Sequence, residues 1–155
     1  LAMFQNETFD MIISNLAIMD VHDLEKAVNE LHRILKKNGK LIFSIMHPCF
    51  SSPPIHGWVR MPLDSNRKED WLYWKVDRYF ERSVEIWQYL DWPPTYSFHR
   101  PLSDYIKTLV RNSFTITDFE EPIPSKRAMS EHFRDFGNEY DRISWFLIVG
   151  AKKNA

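Results

Sequence analysis

The sequence predicts an α/β fold built around a parallel strand pair, and two observations within residues 9–46 carry that prediction. Two short apolar runs, Phe9–Ile13 and Lys40–Met46, are contiguous rather than alternating, as expected of strands buried on both faces. Between them Leu24, Val28, Leu31 and Leu35 recur at spacings of four, three and four, which draws one apolar stripe along a helix. Strand, helix and strand in that order form a crossover unit, because parallel neighbours cannot be joined by a tight turn. Ligands of such sheets lie beyond the carboxyl ends of the strands, so residues 14–19 and 46–50 are where chemistry is to be sought.

Residues 1–8 read as a loop and Phe9–Ile13 as the first strand. The helix is expected from about Asp23 to Lys37, with Asp20 or Asp23 capping its free amides and Lys36 and Lys37 at the negative end of its dipole. Gly39 suits the left-handed residue that ends it. From His47 to about Pro101 the pattern breaks into proline and aromatic residues, with five of the six tryptophans. Within it Arg78–Leu90 reads as one long strand, with Val84, Ile86 and Leu90 on one face and Trp87 and Tyr89 on the other. Ser103 then caps a helix whose inward face is Tyr105, Ile106, Leu109 and Val110, ending near Asn112. Thr115–Glu120 and Ile143–Ala151 read as strands, and Pro122–Glu139 as a mostly irregular connection with at most one short helix.

The order Phe9-Asp10, Ser14, Leu16, then Glu30-Leu31, Arg33, Leu35-Lys36 and Gly39, then an apolar strand, resembles the second half of the catalytic domain of class I S-adenosylmethionine-dependent methyltransferases. Phe98–Ser103, Glu121-Pro122 and Trp145–Lys152 extend the likeness. The resemblance implies a Rossmann-like methyltransferase fold, mostly parallel with an antiparallel last strand, entered at its fourth strand. It also places the closing strand between the fifth and sixth. Residues 47–101 would be an insertion that forms a substrate-side lid. The family grips its cofactor with a Gly-rich loop and a ribose-binding acid. Here the glycines stand at 39, 57, 137 and 150, no two close enough for such a loop. The expectation is therefore a C-terminal portion whose own grip on S-adenosylmethionine is weak or absent, its parent reaction being methyl transfer to a small-molecule acceptor. A truncated, non-catalytic module that forms a homodimer through the exposed edge of Phe9–Ile13 is the alternative.

Composition narrows the partners. A formal net charge of -1 on 155 residues gives no basic face for nucleic acid. A lone Cys49 rules out an internal disulfide, no Cys/His set has zinc spacing, and no metal site is expected; a cytoplasmic setting fits. No apolar run approaches the length needed to span a bilayer.

The candidate residues follow from strand ends and resemblance together. The turn Ser14, Asn15, Leu16 and Ala17 would pass beneath the methionine part of the cofactor, or serve only as a strand-end turn. His47, at the end of the second apolar run, is either a general base for the acceptor or a histidine that bonds its own turn. Cys49 beside it reads as a packed small hydrophobe. Tyr96, His99 and Arg100 would fold over the pocket; Arg100 either holds a substrate carboxylate or phosphate or pairs with Glu120 or Glu121. Trp71, Trp74 and Trp87 are either stacking platforms or core.

Overall fold

The computed structural model describes residues 1–51, 55–65, 67–88, 90–125, 127 and 142–154. β1 (Phe9–Asn15), α1 (Leu24–Ile34) and β2 (Leu35–Met46) form the expected crossover unit, and the two strands are parallel, with Ile12 opposite Leu41 and Asn15 opposite Ser44. Then follow β3 (Ile55–Arg60), β4 (Trp71–Asp77), β5 (Ser83–Trp87), β6 (Thr95–His99), α2 (Leu102–Arg111), β7 (Phe114–Glu120) and β8 (Phe146–Lys153). The main sheet has the order β1-β2-β8-β7, and β3–β4 and β5–β6 are separate antiparallel hairpins.

The closing strand does lie between β2 and β7, but the sheet is not mostly parallel. β8 runs opposite to both of its neighbours, so one reversed strand in the middle makes two of the three pairings antiparallel. Along β2 the odd residues Leu41, Phe43 and Ile45 are fully buried and meet Val28, Tyr105, Leu109, Leu147 and Val149 in one core beneath the helices. On the opposite face Met11 and Ile13 are 46% and 68% exposed.

α1 begins as expected, with the Asp23 carboxylate accepting from the Lys26 amide at 2.9 Å, but it ends at Ile34, not Lys37. The helix stops early because the carbonyls of Arg33 and Ile34 accept sheet-like bonds from the amides of Glu7 and Thr8, at 3.0 and 2.7 Å. Leu35 then turns into the core, and Lys36 pairs with Asp10 at 2.9 Å. The left-handed residue is Asn38, with φ 62°. Gly39 is needed for space instead: a Cβ there would stand 2.8 Å from the Lys36 carbonyl oxygen. Arg33 fastens the entering chain, pairing with Glu30 at 2.9 Å and donating to the Phe4 carbonyl at 2.9 Å.

The expected long strand Arg78–Leu90 is only β5, because the chain turns at Arg78 (φ 59°) and Leu90 (φ 51°), both left-handed. Tyr89 lies outside the described residues, as does most of the expected connection Pro122–Glu139. α2 is capped not by Ser103 but at Pro101, and its first amide, that of Leu102, donates to the Tyr79 hydroxyl at 2.8 Å. Its inner face is Tyr105, Thr108 and Leu109, while Val110 is exposed. A β3–β4 aromatic stack joins this hairpin to the sheet: Trp58 and Trp71 stack at 5.4 Å, and Trp74 meets Trp145, just before β8, edge-on at 5.2 Å.

Candidate functional site at the carboxyl ends of β1 and β2

The turn that leaves β1 is held in an unusual conformation. Leu16 is left-handed at φ 47°, a region that costs a branched side chain about 1–2 kcal/mol. Its amide donates to both the carbonyl and the hydroxyl oxygen of Ser44 on β2, at 3.1 and 3.0 Å, while the Ser44 hydroxyl donates to the Asn15 side-chain oxygen at 2.6 Å. Ser44 thus pins the turn from the neighbouring strand. Next comes a single 3-10 turn, Ile18–Asp20, whose Ile18 is buried in the core.

Arg100, entering α2, clamps that turn. Its Nη1 donates to the carbonyls of Met19 and Phe98, at 3.4 and 3.3 Å, and its Nη2 to those of Val21 and His22, at 2.5 and 2.8 Å. It pairs with neither Glu120 nor Glu121. The Tyr105 hydroxyl lies against the same guanidinium; burial pushes its pKa up, and Arg100 partly opposes the shift.

A cavity of about 650 Å³ opens between these strand ends and the β5–β6 hairpin. Met19, Asp20 and Met46 form its floor, Glu85, Trp87 and Ser97 its hairpin wall, and Tyr105 and Trp145 its back. His99 and Arg100 also border it. The His99 ring nitrogen Nε2 meets the Tyr79 carbonyl at 2.8 Å, which makes that nitrogen the donor. Tyr96 is not on the wall. Its β6 neighbours Thr95 and Ser97 are.

Ser14, Asn15, Leu16 and Ala17 lie just before the floor, which starts at Met19. His47 is turned away from the cavity. Its Nδ1 accepts from the Cys49 amide at 3.2 Å, and its Nε2 faces the Glu121 carboxylate at 2.8 Å, so in this arrangement neither nitrogen offers a free lone pair. The ring is buried beside Phe50, 4.8 Å away. Sequence reasoning missed Ser44, Glu85 and Trp145 as site residues. Ser44 alone carried a signal, as the one polar residue in the run Leu41–Met46. Among the described residues no helix is long and apolar enough to cross a membrane, and no three His, Cys, Asp or Glu side chains are grouped to hold a metal ion.

Comparison with known proteins agrees with this architecture. A family profile described as a methyltransferase domain matches residues 1–43. A solved S-adenosylmethionine dependent methyltransferase from Mesorhizobium loti superposes with a TM-score of 0.75 at 26% identity, over 97% of this chain and 64% of that one. A Listeria monocytogenes protein proposed to be of the same kind gives a TM-score of 0.77 at 27% identity, over 98% of this chain and 64% of that one. The demethylmenaquinone methyltransferase of Leptospira interrogans is 29% identical over 93 residues, which is 59% of this chain and 30% of that protein. The chain thus spans less than two thirds of the length of each of these relatives.

Proposed function

We propose that the chain, which resembles the class I S-adenosylmethionine-dependent methyltransferases in sequence and fold, forms the acceptor side of such an enzyme, acting on a small molecule. The observation that carries this reading is the cavity between the carboxyl ends of β1 and β2 and the β5–β6 hairpin. Residues 47–101, which contain both hairpins, are the lid of the proposal. A cytoplasmic setting belongs to it as well, on the single cysteine.

S-adenosylmethionine is the cofactor of the parent fold, and the residues present fit part of it. The pinned Asn15–Leu16 turn offers backbone at the strand ends, beside the apolar side chains of Met19 and Met46. No Gly-rich loop is present to take the rest. When bound, the cofactor supplies a methyl group on a sulfonium, which a nucleophile displaces in line. This chain contributes positioning and exclusion of water, the terms that dominate such a displacement. Leu16, held by Ser44, fixes the turn. Arg100 holds the floor to α2, and Trp87 and Trp145 wall the acceptor. His47 enters as a base only if its bond to Glu121 opens; with that bond closed, Glu121 orients the ring.

The test joins this chain to the remaining part of the Mesorhizobium loti relative and follows label from methyl-tritiated S-adenosylmethionine into a panel of small acceptors. Transfer that disappears in Leu16→Pro and persists in His47→Gln is the expected result. A folded chimera that transfers to none of the panel counts against the reading.

The exposed Met11 and Ile13 on edge strand β1 favour a second reading, self-association through that edge.

A further inference from the structure

The charges around the cavity are uneven, and they bear on what the acceptor is. Arg100 is the one lysine or arginine among the residues described on its wall, and its guanidinium is taken up by the carbonyls of Met19, Val21, His22 and Phe98. Nothing cationic of that kind remains to meet a carboxylate or phosphate. The carboxylates are in the opposite state. Asp20 on the floor and Glu85 on the hairpin wall both border the cavity, and among the described residues neither side chain accepts a hydrogen bond or forms an ion pair. Glu85 is half-buried and so partly withdrawn from water.

Aromatic surface stands beside these acids. Trp87 is two residues from Glu85 on β5, so strand alternation puts both on one face, opposite Ser97 and Thr95. Trp145 closes the far wall. An indole face next to an unpaired carboxylate attracts a cation twice over, through its quadrupole and through the neighbouring charge. Other things being equal, an anion would meet two unpaired carboxylates and no free guanidinium.

Building on the acceptor-side reading above, we infer that the cavity selects acceptors with an aromatic or apolar body carrying an amine or other cationic group. Glu85 and Asp20 receive the cation, and Trp87 and Trp145 receive the body. Carboxylate-bearing and phosphate-bearing acceptors are disfavoured.

Isothermal titration of this chain with three probes of one shape tests the inference: phenethylamine, phenylethanol and phenylpropanoate. Saturable binding of phenethylamine at least about tenfold tighter than phenylpropanoate is expected, with phenylethanol between them. The near-isosteric Glu85→Gln and Asp20→Asn substitutions together should bring the amine to the level of the alcohol, in a protein whose thermal melt is unchanged. Added salt should weaken the amine and leave the alcohol unaffected. Equal or tighter binding of phenylpropanoate overturns the inference, as does an amine that never saturates or a preference that survives both substitutions. Neither cofactor nor turnover enters the titration, so failure of methyl transfer and failure of this inference are separately visible.

Discussion

Arg100 shows how a residue read from sequence as a ligand group can instead be a fastener. Its four carbonyl partners come from the turn after β1 and from the end of β6, and a planar fork with several donors reaches them where an ammonium cannot. Arg100→Lys should therefore lose about 2–3 kcal/mol in urea denaturation, because several partly buried carbonyls lose their partners. A variant with wild-type stability would show that the clamp is dispensable. His32 offers a pH test. Its ring lies edge-on to Phe114 at 5.4 Å, and its pKa is lowered from 6.5, chiefly by burial and then by the Lys153 charge. Since the unfolded chain binds this proton more readily than the folded one, the contribution is whole above pH 6.5 and is lost as pH falls through the lowered folded value. His32→Gln should flatten the loss of stability on acidification below 6.5, followed by thermal melts across pH; an unchanged slope would contradict this. At this scale the sequence was least legible. His99 and Arg100 could be named from their place before a helix and His47 from its place after a strand, but their distant partners, up to 81 residues away, could not.

At the scale of elements the crossover unit was readable, because Asp23, the apolar stripe and the two uninterrupted runs all act locally and agree. The end of α1 was not, since it depends on Glu7 and Thr8 pairing with Arg33 and Ile34 across the fold. Arg78–Leu90 does not form the single strand its sequence suggests: the chain turns at left-handed Arg78 and Leu90, which are not residues that announce a turn. The β3–β4 hairpin is tied to the sheet edge-on through Trp74 and Trp145, with the Trp74 indole N–H donating to the Phe50 carbonyl at 3.1 Å. Trp145→Leu should loosen it, raising amide exchange across residues 55–60 and 71–77 by about tenfold or more while β2 stays protected. Equal protection of the hairpin in variant and parent would refute its anchoring by Trp145. Gly39→Ala should cost about 1–3 kcal/mol, since the atom in its way, the Lys36 carbonyl oxygen, is backbone and cannot swing aside.

Over the whole molecule, one face of the sheet is sealed by α1 and α2 and the other carries the exposed Met11 and Ile13 next to the β1 edge. If a second copy covers that edge, light scattering will give a dimer that Ile13→Lys converts to monomer; a monomeric parent removes the association reading. The central claim is that this chain supplies the acceptor side of a methyltransferase while the principal grip on the cofactor lies in a Gly-rich loop it does not contain. The most direct measurement is calorimetric titration of S-adenosylmethionine into the chain alone and into its fusion with the remaining part of the Mesorhizobium loti relative. The account predicts no micromolar binding by the chain and micromolar binding by the fusion, whereas micromolar binding by the chain alone, or a folded fusion that binds none, would contradict it.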